Sequence, residues 1–242
     1  MLTCPNCASH KIIMYGTTHH KKQRYRCKEC DRQFVENNDH WISEEKRVYI
    51  EGLLRERVSL RAICRALQVS MTWLVDFAAS IWEQTPDDLG ADLDLLENLR
   101  DEELQDVEIQ LDEMWSFVGD KKNKQWIWVA YCPAIKQVLA FHIGRRGKAD
   151  AQRLLDKLPR RVVENCRFAT DYWEAYYQTI PSEQHTPSKA LTYFIEGYFT
   201  GIRARVSRLV RRSVSFSKKL ENHIAAIGYL FWQRNLTAHH YL

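Results

Sequence analysis

The sequence predicts an α/β domain in its C-terminal half, preceded by a cysteine-rich module and a helical module. Three observations predict this organisation: two C-x2-C pairs before residue 31, helix-like periodicity over residues 43–79, and alternating strand and helix patterns from residue 107 onward. We place the boundaries of the four segments at residues 1–38, 39–82, 83–106 and 107–242. With 242 residues, of which 45% are hydrophobic, the chain can bury a sizeable core.

Charge is segregated along the chain, although the formal net charge is only +4. Residues 1–82 carry a net charge of +4 and residues 109–242 carry +10, whereas residues 83–108 carry −10. Two basic parts predict a polyanionic partner, although solvated basic surfaces give the same pattern. No apolar run of about 18 residues is present, so we predict no membrane span. The chain opens without an apolar signal segment, and its seven cysteines then indicate a reducing cytoplasmic setting.

The first module carries four cysteines with the spacing of metal ligands. Each C-x2-C pair suits two thiolates that project from one tight knuckle, and nineteen residues separate the pairs, which are formed by Cys4, Cys7, Cys27 and Cys30. Four thiolates complete a tetrahedral shell for structural zinc (Zn²⁺), and metal binding would supply the folding energy of so short a segment. Two disulfides or free thiols are the alternative. The basic, aromatic stretch between the pairs suits a β-ribbon that faces a phosphate backbone.

Residues 43–79 predict three helices, and the last two have the sequence pattern of a helix-turn-helix. Ser59 and Ser70 are the expected N-caps, with "LQVS" as the turn, in which Gln68 takes a position that often holds glycine. The N-terminal end of the second helix of such a motif enters a DNA groove. The candidate DNA-binding residues are therefore Ser70, Met71, Thr72 and Trp73. A plain helical pair that buries its own face is the alternative.

Residues 83–106 are strongly acidic and carry leucines at helical spacing, namely Leu89, Leu93, Leu96 and Leu99. We interpret the segment as a linker followed by an amphipathic helix, and we favour a solvated linker helix. Pairing with a second protomer and shielding of the basic surfaces are the alternatives.

The C-terminal part predicts strands at residues 107–112, 125–131 and 137–143, then a helix at "GKADAQRLLDKL" and a fourth strand at "CRFATDYW". Two helices follow, at "SKALTYFIEGYFTGIRARVSRLVRR" and "SKKLENHIAAIGYLFWQRN". Three antiparallel strands, a helix, a fourth strand and further helices match the order of a ribonuclease H-like fold, in which helices flank a mixed sheet.

Two acids take comparable places in this predicted sheet, Asp112 in the first strand and Asp171 at the end of the fourth. If these strands are neighbours, the carboxylates converge, and their repulsion favours bound cations. Mg²⁺ or Mn²⁺ prefers carboxylate ligands, and two ions about 3.5–4 Å apart suit phosphoryl transfer. Glu196, an acid within apolar "YFIEGYF", is the predicted third ligand. Taken separately, each acid also fits a strand end or a helix cap.

The acid that follows Asp112 has a different expected role. Glu113 must point to the opposite face of the strand, which favours an ion pair there rather than metal binding. Trp115, Tyr172 and Trp173 surround the acids in sequence and suit either packing or stacking on a flipped base, and we favour packing for most of them.

Beyond Glu196, "GIRARVSRLVRRSVSFSKK" holds seven basic residues and no acid. We expect phosphate contacts beside the metal ions from these side chains. The candidates are Arg203, Arg208, Arg211, Arg212, Lys218 and Lys219.

The segments "LDEMWSFVG", "TDYWEAYY", "FIEGYF" and "RRSVSFSKK" together resemble transposases of the insertion-sequence-one family. The resemblance covers essentially the whole chain and implies a zinc ribbon, a helix-turn-helix and a ribonuclease H-like catalytic domain of the aspartate–aspartate–glutamate (DDE) class. It implies that Asp112, Asp171 and Glu196 bind the catalytic metal ions and that Arg203 is the arginine seven residues past the glutamate. Phe199 departs from the family pattern, which has asparagine three residues after that glutamate.

The resemblance implies a DNA transposase that binds the terminal inverted repeats of its element, cleaves a strand and joins the 3′-hydroxyl to target DNA. The implied partners are double-stranded DNA and further copies of the chain, in a homodimer or larger assembly, within the cytoplasm at the nucleoid of a prokaryote. A DNA-binding regulator without catalysis and a ribonuclease H-like nuclease without strand transfer are the alternatives.

Overall fold

The computed structural model describes residues 2–19, 21–36, 42–56, 58–205, 209 and 217–238. Within them, the strands are β1 (Ile12–Thr17), β2 (Gln23–Cys27), β3 (Gln33–Val35), β4 (Glu108–Phe117), β5 (Lys124–Cys132), β6 (Gln137–Gly144), β7 (Arg167–Thr170) and β8 (His185–Pro187). The helices are α1 (Glu44–Arg55), α2 (Leu60–Leu67), α3 (Met71–Trp82), α4 (Leu93–Glu97), α5 (Asp101–Leu104), α6 (Lys148–Leu155), α7 (Arg160–Asn165), α8 (Glu174–Tyr177), α9 (Tyr193–Arg205) and α10 (Leu220–Ala238). None of these helices is both long enough and apolar enough to cross a membrane.

Strands β1, β2 and β3 form a small antiparallel sheet in the cysteine-rich module. Apolar burial is slight there, because β1 is largely exposed and Phe34 packs mainly on the Tyr25 ring, 5.9 Å away between centroids. Cys4 and Cys27 are 2% and 0% exposed. The sulfur cluster, rather than an apolar core, therefore connects the turns of this module.

Helices α1, α2 and α3 pack around buried Ile50, Ile63 and Leu74. Serine side chains cap all three helices by accepting a hydrogen bond from the backbone N–H three residues on; the caps are Ser43, Ser59 and Ser70. Gln68 ends α2 in the left-handed conformation, at φ +51° and ψ +47°, as the turn between the two helices requires.

The prediction of one amphipathic, solvated helix in residues 83–106 is wrong. The segment forms two short helices, α4 and α5, and packs against the C-terminal domain through leucines that are at most 2% exposed: Leu89, Leu96 and Leu104. Arg161 of α7 donates to the Asp101 carboxylate at 2.8 Å and also to two backbone carbonyls of the segment. The acidic charge therefore lies on the outer side of a packed segment.

Asn235 of α10 joins the acidic segment to the edge of the larger sheet. Its side chain is buried, and its amide nitrogen donates to the carbonyls of Leu89 and Val138 at 3.1 and 2.8 Å. Its amide oxygen accepts from the Val138 N–H at 2.9 Å. Gln137 directly precedes Val138, and its side-chain amide oxygen accepts from the Asp92 N–H at 2.8 Å. Two buried amides thus satisfy the backbone of both elements.

The larger sheet has the strand order β6-β5-β4-β7-β8. Strands β4, β5 and β6 are antiparallel, and β7 and β8 run parallel to β4 and to each other. The four predicted strands are present, but β4 continues five residues beyond the predicted end at residue 112. The short strand β8 was not predicted, since its three residues carry no apolar alternation.

Helices cover both faces of this sheet. One face carries Leu111, Trp128 and the helices α6, α7 and α8. The other face carries Met114, Val129 and the helices α9 and α10. Successive residues of β4 therefore enter different cores, which is a mixed α/β arrangement with the sheet in the middle.

We predict that Asn235→Ala destabilises the chain by about 2–4 kcal/mol, because it leaves buried backbone groups of Leu89 and Val138 without partners. Chemical denaturation followed by circular dichroism measures the free energy of unfolding. Thr237→Ala is the matched control, since Thr237 is an exposed polar residue of the same helix and its loss should cost less than about 0.5 kcal/mol. Equal stability of the two variants would contradict the packing described for the acidic segment.

Candidate active site and zinc site

Asp112 and Asp171 lie on neighbouring chain segments in the middle of the larger sheet. The last registered pair between the parallel strands β4 and β7 is Gln110 with Ala169. Asp112 comes two residues after Gln110 on the sheet face that carries α9 and α10, and Asp171 follows the end of the neighbouring strand β7, near enough for its charge to act on Asp112. Both residues are half-buried. The two acids are far apart in the sequence. The parallel pairing of β4 with β7 brings them close together in space.

Gln110 ties the start of α9 to the same face, and sequence reasoning missed it. The Gln110 side chain is fully buried, and its amide oxygen accepts from the Ile195 N–H at 3.0 Å. Its amide nitrogen donates to the Leu191 carbonyl and, at 3.0 Å, to the Glu108 carboxylate. Glu196, in the first turn of α9, is exposed, and its charge acts on Asp112. The available signal was a glutamine two residues before Asp112, between the apolar residues Ile109 and Leu111.

The electrostatics of the site link all three acids. Burial and, after it, the charges of Glu113, Asp171 and Glu196 together raise the pKa of Asp112 to about 7, against a hydrogen bond from the Glu113 N–H at 2.8 Å. Asp171 accepts from the Trp173 N–H at 2.9 Å, and Glu196 accepts from the Thr192 hydroxyl at 3.3 Å. Three carboxylates in one field are mutually unfavourable unless a cation lies among them.

The four cysteines form a tighter group than these carboxylates. Among the residues that the structure describes, the cysteines are the one set of three or more metal-ligating side chains whose ligand atoms all lie within 4.8 Å of one another. The Sγ atoms of Cys4 and Cys30, and those of Cys7 and Cys27, are 3.6 Å apart. Zinc–sulfur bonds of about 2.3 Å in a tetrahedron place sulfurs about 3.8 Å apart. The donor set and its size therefore fit a zinc ion, and no disulfide joins these residues.

The cysteine thiols also perturb one another's ionisation. A hydrogen bond from Asn6 and one from the Arg32 backbone lower the pKa of Cys30 to about 6. The pKa of Cys7 is raised to about 12 despite a hydrogen bond from the Ser9 backbone, because desolvation and the other thiols disfavour its thiolate. Four thiolates can coexist here once a divalent cation compensates their charge.

Glu113 takes the opposite face of β4 and forms the expected ion pair. Its side chain is fully buried, and Arg146 lies 2.6 Å from it. The Tyr176 hydroxyl donates to its second oxygen at 2.7 Å. Trp173 packs over the Arg146 guanidinium, so this tryptophan packs against protein as expected.

The structure divides the candidate groove-facing residues of α3 into two kinds. Met71 and Thr72 are exposed at the start of the helix. Ser70 is the N-cap, and the Trp73 ring stacks on Phe77 at 4.8 Å with an interplanar angle of 14°. Met71 and Thr72 are therefore exposed and free of such local roles, whereas Ser70 is exposed but caps the helix and Trp73 is half-buried.

The C-terminal domain matches a family model described as "IS1 transposase" over residues 107–240. The chain belongs to the IS1 transposase family. The match begins one residue before β4 and includes Asp112, Asp171 and Glu196.

Curated relatives carry InsB names. The chain is similar to the insertion element iso-IS1n protein InsB of Shigella dysenteriae, with 34% identity over 119 residues, which is 49% of this chain and 89% of that protein. It is similar to the insertion element IS1 4 protein InsB of Escherichia coli strain K12, with 37% identity over 121 residues, 50% of this chain and 71% of that protein. The IS1 protein InsB of Shigella sonnei is 36% identical over 121 residues, 50% of this chain and 90% of that protein.

Within this IS1 transposase domain, α9 presents Glu196 and Arg203 two turns apart. Arg203 is half-buried, with its guanidinium carbon 5.9 Å from the Phe199 ring centroid. Phe199 is 3% exposed and belongs to the apolar core beneath α9, so the departure from the expected asparagine is a packing residue in this chain. Lys218 and Lys219 are exposed. The remaining candidates, Arg208, Arg211 and Arg212, lie outside the described residues.

We predict one zinc ion per chain and its loss in Cys27→Ser, because a buried tetrahedral site does not tolerate replacement of a thiolate by a hydroxyl. Inductively coupled plasma mass spectrometry of the purified protein measures the stoichiometry.

Cys64→Ser is the matched control, because Cys64 is a free, half-buried cysteine in α2, away from the cluster. Its zinc content should equal that of the wild type. Zinc retained in Cys27→Ser, or absent from the wild type, would refute the assignment.

Proposed function

We propose that the chain is a DDE transposase that binds the terminal inverted repeats of its element and catalyses strand cleavage and transfer of the 3′-hydroxyl into target DNA. The observation that carries the proposal is the common face of Asp112, Asp171 and Glu196, where the pKa of Asp112 responds to both other acids. Membership of the IS1 transposase family supports this assignment.

We further propose a ribonuclease H-like fold for residues 107–242, a zinc ribbon for residues 1–38 and a helix-turn-helix domain for residues 39–82. Three antiparallel strands followed by two parallel strands beside the first support the fold assignment. The caps and the left-handed turn of α2 and α3 support the helix-turn-helix. Residues 83–106 then act as a packed connection between the modules.

Asp112, Asp171 and Glu196 would hold Mg²⁺ or Mn²⁺. Their oxygen donors match the preference of these hard cations; burial and, after it, neighbouring negative charge raise the pKa of Asp112, and a divalent ion would offset that negative charge. When bound, such ions activate the attacking oxygen and stabilise the leaving oxygen of a phosphodiester.

The two reactions are successive in-line displacements at phosphorus. In the first, a water oxygen forms a bond to phosphorus, the bond from phosphorus to the 3′-oxygen breaks, and a 3′-hydroxyl remains on the element end. In the second, that 3′-oxygen bonds to a target phosphorus and displaces the target's own 3′-oxygen. The protein contributes orientation: backbone N–H groups of Glu113 and Trp173 fix the carboxylates of Asp112 and Asp171.

Contacts to DNA would come from both ends of the chain. Exposed Met71 and Thr72 at the start of α3 suit groove contacts, and Arg24 and Arg26 flank the Tyr15 ring on the ribbon at 5.8 and 5.4 Å. On the catalytic domain, Arg203, Arg208, Arg211, Arg212 and Lys218 are the proposed phosphate contacts. Because two element ends must be joined together, we propose that a homodimer or larger assembly acts on DNA.

We predict that the wild type with Mg²⁺ or Mn²⁺ joins labelled element-end DNA to a plasmid target. Asp112→Asn should lower the rate of joining about 10³-fold or more while leaving binding of end DNA intact, because it removes a ligand charge and not a contact of the N-terminal modules. Gel analysis of joined products and filter binding measure the two properties.

Glu183→Gln is the matched control, an exposed acid just before β8 whose loss should leave joining unchanged. Cleavage without joining by the wild type would identify a nuclease. Binding without either reaction would identify a DNA-binding regulator, and both outcomes would reject the transposase proposal.

A further inference from the structure

Behind the three carboxylates, on the opposite face of the sheet, one arginine contacts several elements at once. Arg146 lies in the connection between β6 and α6. Its Nε and Nη2 atoms are 2.7 and 2.6 Å from one carboxylate oxygen of Glu113, which is fully buried. The Tyr176 hydroxyl donates to the other oxygen at 2.7 Å, and Tyr176 itself is 1% exposed. The buried carboxylate is thus bonded at both oxygens.

The same guanidinium is held between two tryptophans. Its carbon lies 3.8 Å from the Trp173 ring centroid and 4.4 Å from that of Trp126 on β5. A planar guanidinium close to two indole rings is more restricted in orientation than a flexible ammonium would be. Arg146 therefore connects the back of β4, the neighbouring strand β5 and the segment after β7.

Trp173 links Arg146 to Asp171, one of the three acids of the proposed active site. Strand β7 ends at Thr170, so Asp171 lies just beyond the sheet ladder. The backbone N–H of Trp173 donates to the Asp171 carboxylate at 2.9 Å. The position of the Trp173 backbone consequently sets the direction of the Asp171 carboxylate.

We propose that Arg146 is a positioning residue that fixes Asp171 against Asp112 through its stacking on Trp173 and its ion pair with Glu113. The inference rests on the proposed function, in which these two acids bind a divalent cation. It assigns Arg146 no contact with DNA or metal. Its role depends on the planar, forked shape of the side chain as well as on its charge.

The test uses the full-length, zinc-loaded protein and Mn²⁺ as the probe. Arg146→Lys keeps the charge but loses the stacked plane, and it should weaken Mn²⁺ binding about 10-fold or more, as loss of a ligand-orienting partner does. Electron paramagnetic resonance titration of free Mn²⁺ measures this without any reaction. The concentration of Mn²⁺ that gives half-maximal strand cleavage should rise by the same factor, with recovery of the rate at saturating Mn²⁺. Affinity for element-end DNA should stay within about twofold.

A double variant separates the effect of the stacked Arg146 side chain from the effect of the charges of Arg146 and Glu113. Arg146→Met alone leaves Glu113 as a buried unpaired anion and would unfold the domain, whereas Glu113→Gln with Arg146→Met restores a neutral pair that still accepts from Tyr176. The proposal expects this double variant to fold, by circular dichroism, and to bind Mn²⁺ as weakly as Arg146→Lys. Wild-type Mn²⁺ affinity in the double variant would show that charge alone matters and would overturn the proposal.

Arg153→Lys is the matched control, since Arg153 is 63% exposed and pairs with Asp150 on α6. It should change neither Mn²⁺ affinity nor cleavage. If Arg146→Lys behaves like this control while the wild type binds Mn²⁺ and joins DNA, the positioning role is wrong and the proposed function stands. If the folded wild type binds no Mn²⁺, both are wrong.

Discussion

The structure depends on the alternation of side chains along β4. Two adjacent acids enter opposite cores of the same sheet, and burying a carboxylate is costly unless its charge is compensated. Burial raises the pKa of both. Glu113 has Arg146 and Tyr176 as partners, whereas the groups around Asp112 include two further acids. The charge on one face of the strand is therefore compensated, whereas the charges on the other face repel one another.

The remaining elements serve to bring distant acids to that second face. Parallel pairing of β4 with β7 aligns Asp112 and Asp171, and the buried amide of Gln110 fixes the first turn of α9, which carries Glu196. The first connection is a backbone ladder, and the second joins a side-chain amide to backbone groups of α9; both hold their direction in a low-dielectric interior. This explains why a buried glutamine occurs two residues before Asp112.

The features predicted from sequence are those set by local chemistry. The cysteine knuckles, the serine caps and the turn at Gln68 each depend on a few neighbouring residues, and so does the alternation of β4. The packing of the acidic segment was not predictable, because leucines at helical spacing look the same in a solvated helix and in a packed one. Its partners, Arg161 and Asn235, come from distant parts of the chain. The role of Arg146 was likewise not predictable, because it lies in a short basic loop whose sequence does not indicate a buried partner.

Packing also links the proposed recognition helix to the sheet face that carries the three acids. The start of α3 is exposed at Met71 and Thr72, whereas its C-terminal half packs on Tyr229 of α10, and Arg55 of α1 donates to the hydroxyl of that tyrosine at 3.1 Å. Further along α10, Phe231 is fully buried in the core beneath α9. Because buried leucines also anchor the acidic connection, the chain has little slack between these modules. A DNA end held by α3 would therefore meet the three carboxylates at an offset set by side-chain packing rather than by a flexible linker.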